Sequence, residues 1–192
     1  MLSVVFEKAF LMNSAKKSSK VALCGILTAL SVVTMIILGM FGVLTYAAPM
    51  IAGGLLIVPM KEYGSSTAWT MFGAVSVLGL MLVSDKELAL FYLLLFGHYP
   101  ILQPRLDRIS RKPVRRIIKA VLFNACTILS VWLAQVLFGV PIFEEGSPVI
   151  VMAILYLVMA NLCFVLYDRA LRQFYTLYDI KLRPVLNKTF KL

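Results

Sequence analysis

The distribution of lysine and arginine along this chain constrains its fold more than any other sequence feature. Of the 19 basic residues, 18 fall in the four segments 1–20, 61–66, 105–119 and 168–192, and Lys86 alone lies elsewhere. Long apolar runs separate these segments. Because basic residues that flank membrane-spanning helices are retained on the cytoplasmic side, the pattern predicts an all-α polytopic membrane protein with both ends in the cytoplasm.

The composition is not that of a soluble domain. Hydrophobic residues make up 61% of the 192 residues and charged residues 15%, and the mean hydropathy is +0.91. A helix needs about 20 apolar residues to cross a bilayer. The chain has room for six predicted transmembrane helices: Val21–Met40, Val43–Met60, Thr67–Val83, Leu88–Gln103, Ile117–Val140 and Val149–Tyr167. Residues 1–20 are then a cytoplasmic N-terminal segment, 21–167 the transmembrane domain, and 168–192 a basic cytoplasmic tail.

The residues that mark an enzyme or an ion pump are missing from the sequence. No phosphate-binding loop and no HExxH helix is present, and Lys119, at the cytoplasmic end of the fifth span, is the only charged residue within the predicted spans. Cys24, Cys126 and Cys163 have no metal-ligand spacing and are interpreted as packing residues. We therefore expect no catalytic residue, metal or cofactor. A membrane enzyme that acts on lipids would lack a visible nucleophile.

Polar and aromatic residues inside the predicted spans are the candidate ligand-binding site. Aromatic rings provide contact area and amides fix a ligand's orientation. Gln135 and Asn161 are the most informative, because an unpaired amide in hydrocarbon is costly. The candidate ligand-binding residues are Tyr46, Tyr92, Trp132, Gln135, Tyr156 and Asn161. The alternative is that the rings form interfacial belts and the amides join neighbouring helices.

Small residues form a strip along the first predicted span. Ala22, Gly25 and Ala29 are spaced by about one helical turn, and small side chains let another helix backbone approach closely. The strip therefore predicts a docking site for a partner helix, although packing within the chain would also explain it.

The basic segment 105–119 carries seven basic residues and one acid, interleaved with aliphatic residues. This pattern is typical of an interfacial helix that lies against anionic lipid headgroups. The tail offers a second such surface helix near Phe174 and Tyr178. Nucleic-acid binding is not predicted, because membrane topology already accounts for the basic residues and no recognition module is present.

The lead Lys16–Lys20 running into the apolar stretch Val21–Leu30, together with the length and topology of the chain, resembles a known family. The resemblance is to the substrate-binding (S) components of energy-coupling factor transporters, which are six-helix bacterial membrane proteins. In that family a small-residue motif on the first helix docks onto a transmembrane coupling subunit, and Ala22, Gly25 and Ala29 are the matching positions here. The family usually has alanine where this chain has Gly25. The stretch Leu95–Leu102 also resembles a segment of uncharacterised small membrane proteins.

The resemblance implies a protein of the bacterial plasma membrane that captures a small, vitamin-like molecule from outside. A coupling subunit and two cytoplasmic ATPase subunits would supply the energy. The implied pocket opens outward between the later helices, with the loop between the first two spans as a lid and Glu87 or Glu144 at its mouth to attract a cation. The alternative is a structural or regulatory membrane protein that binds lipid or a membrane partner without transport.

Overall fold

The computed structural model describes residues 2–41, 46–139 and 149–184, and all regular structure in these ranges is helical. The α-helices are α1 (Leu2–Gly39), α2 (Ala47–Gly54), α3 (Ile57–Tyr63), α4 (Ser65–Leu82), α5 (Lys86–Phe91), α6 (Tyr99–Leu106), α7 (Lys112–Phe138) and α8 (Val149–Leu177). Two π-helical turns, Tyr92–Phe96 and Tyr178–Leu182, follow α5 and α8. The prediction of an all-α fold is confirmed.

Four helical stretches in the described ranges are long and apolar enough to cross a membrane. They are Lys17–Gly39, Ser65–Leu82, Lys112–Leu137 and Val151–Leu182, and they correspond to the first, third, fifth and sixth predicted spans. Their outward faces are aliphatic: Val121 is 62% exposed and Val158 60% exposed. Such surfaces suit a lipid environment, since contiguous apolar exposure of this extent is rare on soluble proteins.

The second and fourth predicted spans are broken helices. The second consists of α2 and α3, which are separated at Leu55 and Leu56, and the fourth consists of α5, the π turn and α6. Glycine and proline are concentrated in both segments, and these residues weaken or interrupt helices. Many of their side chains are buried, including Leu56 and Leu88, which are fully covered. This placement matches the rule that irregular backbone at membrane depth is tolerated where protein covers it.

Prolines in the fourth segment leave two backbone carbonyls without helical partners. Pro100 lacks the N–H that would bond to the carbonyl of Phe96, four residues earlier, and Pro104 lacks the N–H that would bond to Pro100. Two tyrosines of α8 supply the missing donors: the Tyr167 hydroxyl donates to Phe96 O at 3.0 Å, and the Tyr175 hydroxyl donates to Pro100 O at 2.7 Å. The two prolines therefore set where α8 packs.

Close backbone packing accompanies the first of these bonds. A Cβ atom added to Gly53 of α2 would lie 2.4 Å from Phe96 O and 2.7 Å from the Tyr167 hydroxyl. Only glycine at this position lets α2, the π turn and α8 meet.

The four basic segments converge at one end of the helix bundle. The contacts are Lys20 Nζ over the Tyr63 ring at 5.5 Å, Lys61 Nζ to Asp179 Oδ2 at 2.7 Å, and Arg105 Nη2 to Ser65 Oγ at 3.0 Å. Lys119 joins the same end through α8, as described below. Because Ser65 begins α4, the C-terminal end of that helix is about 27 Å away.

Lys86, the exception to the charge pattern, lies at that distant end and has a structural role. Its Nζ atom donates to the carbonyls of Leu80 and Val83, each at 2.9 Å. A cation that binds the last carbonyls of a helix satisfies groups without intrahelical partners and interacts well with the helix dipole. Asp85 caps the start of α5 by accepting from the backbone N–H of Glu87 at 3.0 Å.

The structure adds the course of the helices in the three longer basic segments. The segment 1–20 is helical from Leu2 and continuous with the first span. The basic segment 105–119 is divided between the end of α6 and the start of α7, so it is not one separate surface helix. The tail continues α8 and then packs against the bundle, where Tyr178 is fully buried and donates to Glu62 Oε1 at 3.0 Å.

Replacing Tyr167 by Phe should destabilise the chain by about 1–3 kcal/mol, because the buried Phe96 carbonyl loses its donor. Pro100→Ala restores a helical N–H to that carbonyl, so Tyr167→Phe should cost much less in the Pro100→Ala background. Thermal unfolding in detergent of the four variants of a double-mutant cycle measures this coupling.

Combining Tyr175→Phe with each of the two proline substitutions provides the control. The cost of Tyr175→Phe should be relieved by Pro104→Ala and left in place by Pro100→Ala. Equal relief by either proline substitution would contradict the assignment of one tyrosine to each carbonyl.

Candidate functional site

A cavity of about 180 Å³ lies among α2, α5, α7 and α8. Its lining includes Tyr46, Met50, Phe91, Phe123, Tyr156 and Cys163. The ring of Tyr46 lies 5.3 Å from that of Phe91. Aromatic rings, thioether and thiol groups dominate the walls, and Thr127 adds a hydroxyl whose hydrogen is donated to Phe123 O at 2.9 Å. The chemistry suits a small, largely apolar molecule.

Tyr46 and Tyr156 are the two predicted ligand-binding residues that the structure brings together in this cavity. Glu87 lies on α5 one turn before Phe91, a lining residue of the cavity. Glu87 is thus close to the cavity at the end of the bundle opposite the basic segments. The predicted lid falls largely on residues 42–45, and Glu144 on 140–148, both outside the described residues.

The other four predicted ligand-binding residues lie elsewhere. Tyr92 is fully buried, is stacked on Phe72 at 5.9 Å, and has a hydroxyl without a partner in the described ranges. Trp132 is 55% exposed and Gln135 is also exposed, on the outer surface of α7. Of the predicted polar residues, these two therefore face the surroundings of the bundle.

Asn161 forms a reciprocal amide pair with Asn124 of α7. Each Nδ2 donates to the other residue's Oδ1, at 3.0 Å from Asn124 and 2.9 Å from Asn161. Each Nδ2 also donates to the carbonyl four residues earlier in its own helix, both at 2.8 Å. All amide hydrogens are thereby paired, so the arrangement joins α7 to α8 as a polar contact between apolar helices.

The small-residue strip of α1 lies on an open face. Ala22, Gly25 and Ala29 are all exposed, and a Cβ atom added to Gly25 would meet nothing within 4 Å. Exposed aliphatic residues flank the strip, with Val21 at 72% and Ile26 at 57%. Within the described ranges, packing inside the chain does not account for these small residues.

A buried carboxylate organises the basic end of the bundle. Asp168 is 7% exposed, and its Oδ1 atom accepts from Gln103 Nε2 and Lys119 Nζ, each at 2.8 Å, and from the Tyr99 hydroxyl. Its Oδ2 atom accepts from Arg172 one turn later. One side chain thus connects α6, α7 and α8.

Lys119 is the buried cation of this network. It is 5% exposed and lies between two carboxylates, with Asp107 Oδ1 at 2.7 Å and Asp168 Oδ1 at 2.8 Å. A buried charge is tolerated when it is paired and hydrogen-bonded. The network is thus a satisfied structural centre, and Gln103 Oε1 is its one atom without a partner in the described part of the chain.

Sequence reasoning located Lys119 but missed Asp168 and its hydrogen-bonding partners. The available signal was position: Asp168 directly follows the sixth predicted span, and Lys119 is the only charge inside a predicted span. Two opposite charges at the same depth on neighbouring helices predict a pair. The partners Tyr99 and Gln103 need the rotation of the broken fourth segment, which hydropathy does not specify.

Comparison of the chain with protein-family models, with curated proteins and with solved structures finds no match.

Asp168→Asn should destabilise the chain by about 3 kcal/mol, because it removes a charge partner from buried Lys119 and from Arg172. Adding Lys119→Met should recover part of that loss, since the double variant no longer buries an ammonium group that has lost one of its two carboxylate partners. Thermal unfolding in detergent measures both variants and Lys119→Met alone. Strict additivity of the two single effects would contradict direct pairing.

Glu87→Gln should raise the melting temperature at pH 7. Burial, and secondly the nearby Asp85, raise the pKa of the Glu87 carboxyl. Stability therefore falls as the pH rises from the ordinary pKa of a glutamate to the raised pKa in the folded chain, and it stays lower above that value. Below about pH 4 the acid is protonated in both folded and unfolded chains, and the difference from glutamine should disappear. An equal gain at pH 7 and at acidic pH would indicate altered packing instead of charge.

Proposed function

We propose that this chain is the substrate-binding component of an uptake transporter of the energy-coupling factor type in a bacterial plasma membrane. It would capture a small molecule outside the cell and depend on a separate transmembrane coupling subunit and two cytoplasmic ATPase subunits. The cavity that brings Tyr46 and Tyr156 together is the observation that carries this proposal.

The proposal includes six spans with both ends in the cytoplasm. Four long apolar helices would cross the bilayer as single elements, and the two broken segments would cross in the interior of the bundle. The clustering of the four basic segments at one end supports this orientation, because it places 18 of 19 basic residues on the side where they are normally retained.

The cavity suits binding better than chemistry. Ligand pockets usually enclose about 300–1,000 Å³ and are lined by apolar and aromatic side chains. The cavity has such a lining, but at about 180 Å³ it is smaller than that range and would take only a small ligand. Tyr46, Tyr156 and Thr127 are the lining residues that carry a hydroxyl group. Glu87 would favour a ligand with a positive charge on the side that faces Tyr46.

The open strip on α1 supports the need for a partner. A helix that presents Ala22, Gly25 and Ala29 to its surroundings offers close backbone approach to another helix. A chain without an ATP-binding motif requires such a partner for uphill uptake. The strip and the cavity involve different helices, so docking and ligand binding would use separate surfaces.

The alternative function is a structural or regulatory membrane protein that binds lipid or a membrane partner without transport. The outward position of Trp132 and Gln135 on α7 favours it, since an exposed amide at membrane depth is costly without a partner. In that case the partner would bind the α7 surface and not the α1 strip.

Affinity purification of the tagged chain from its native membrane in mild detergent tests the proposal. Mass spectrometry should find a coupling subunit and paired ATPases. Their recovery should fall about ten-fold or more in the variant with Gly25→Leu and Ala29→Leu, because the bulky side chains prevent close approach of another helix to the strip. Gly73→Leu with Ala74→Leu is the matched control, because these α4 residues are also small and a side chain at Gly73 would meet nothing within 4 Å. Loss of partners in both double variants would contradict α1 docking.

Ligand binding is tested by the small molecules that co-purify. Ala160→Phe fills the cavity and should abolish their retention, whereas Ala125→Phe on the exposed face of α7 should not. Recovery of membrane proteins that respond to Trp132→Ala, with no ATPases, would favour the alternative.

A further inference from the structure

A second, basic cavity of about 680 Å³ lies between the first half of α7 and the second half of α8. Its charged lining residues are Arg115, Arg116, Lys119, Asp168, Arg169 and Arg172. Five cations thus face one acid across a single cavity. Nothing in the ligand-binding or docking sites described above uses these residues.

Two of the five cations make no ion pair with the part of the chain that the structure describes. Lys119 and Arg172 bind Asp168, and Arg115 pairs with Asp107, its Nε lying 3.8 Å from Asp107 Oδ1. Arg116 on α7 and Arg169 on α8 are the two remaining cations, and both are exposed. The paired residues hold the two helix walls together, while the unpaired guanidinium groups are free for an anion.

The chemistry of these groups selects a phosphate. Guanidinium is planar, remains charged, and forms paired parallel hydrogen bonds with phosphate oxygens. One guanidinium on each helix can engage a phosphate from two sides. The amide of Gln173, in the same lining, adds donor and acceptor atoms for a polar headgroup.

The remaining walls and their surroundings are apolar. Ala120, Phe164 and Val165 also line the cavity, and the adjacent outer surface carries Val121 at 62% exposure and Leu162 at 55%. A ligand that spans the arginines and this surface needs a charged head and hydrocarbon chains. A soluble phosphate compound would leave the aliphatic surface uncovered.

We infer that this cavity binds the phosphate headgroup of an anionic phospholipid of the cytoplasmic leaflet, with the acyl chains against α7 and α8. The inference rests on the membrane orientation given under the proposed function, and not on transport. Arg116 and Arg169 hold the phosphate, and the Asp168 network keeps the two helices at the spacing that the headgroup requires.

Lipid titration of the full chain in detergent, with bound lipids counted by native mass spectrometry, tests the site. The probes are phosphatidylglycerol, zwitterionic phosphatidylcholine and inorganic phosphate. Phosphatidylglycerol should bind more tightly than phosphatidylcholine, and Arg116→Gln with Arg169→Gln should weaken its binding about 30-fold, as expected for two basic groups near a lipid phosphate. Because both side chains are exposed, the melting temperature without lipid should stay close to that of the unaltered chain.

Arg111→Gln with Lys112→Gln is the matched control, since it removes the same charge from exposed positions outside the cavity. This control should retain nearly full phosphatidylglycerol affinity. Equal losses in the two double variants would overturn the inference in favour of general attraction between the basic end and anionic lipid. Displacement of the lipid by equimolar inorganic phosphate would overturn the inference and reassign the cavity to a soluble anion. Equal binding of phosphatidylglycerol and phosphatidylcholine would also overturn the inference.

The two proposals fail separately. Lipid binding is measured on the isolated chain, without coupling or ATPase subunits or a transported ligand. A negative lipid result would leave the recovery of transport partners unchanged, and absence of those partners would leave the lipid result standing.

Discussion

Backbone hydrogen bonding in an apolar interior is the constraint on which the rest of this structure depends. Pro100 and Pro104 leave the carbonyls of Phe96 and Pro100 without a donor in their own helix, and such groups need another partner where protein covers them. Tyr167 and Tyr175 meet the two carbonyls from α8. Because each hydroxyl must reach one particular carbonyl, the two bonds together set the register of α8 against the broken fourth segment.

The charged interactions follow from that register. Once α8 is in place, Asp168 lies within hydrogen-bonding distance of donors from α6 and α7, and its network satisfies Lys119 without exposing either charge to hydrocarbon. Arg116 and Arg169, which line the cavity beside this network, have no ion-pair partner among the residues that the structure describes. Structural pairing and the proposed lipid site are two consequences of one helix contact.

The two broken segments also explain where a ligand has room. Gly53 of α2 allows Phe96 and Tyr167 to approach closely, and Met50, one turn earlier on the same helix, lines the cavity together with residues of the fourth segment. The long helices carry the outer surfaces, so the α1 strip remains open for a partner helix. The proposed ligand cavity and the proposed docking strip therefore lie on different helices.

The sequence by itself determined the helical class, the approximate limits of the long helices and the clustering of basic residues, because these depend on local hydropathy and charge. It also indicated Tyr46 and Tyr156 as cavity residues, but it grouped them with Tyr92, Trp132 and Gln135, which face other surroundings. Only the tertiary structure decided which face of each helix is covered, that Asn161 pairs with Asn124, and that Asp168 is buried. Hydropathy places a residue at a depth in the membrane, whereas rotation about the helix axis is set by packing against neighbours.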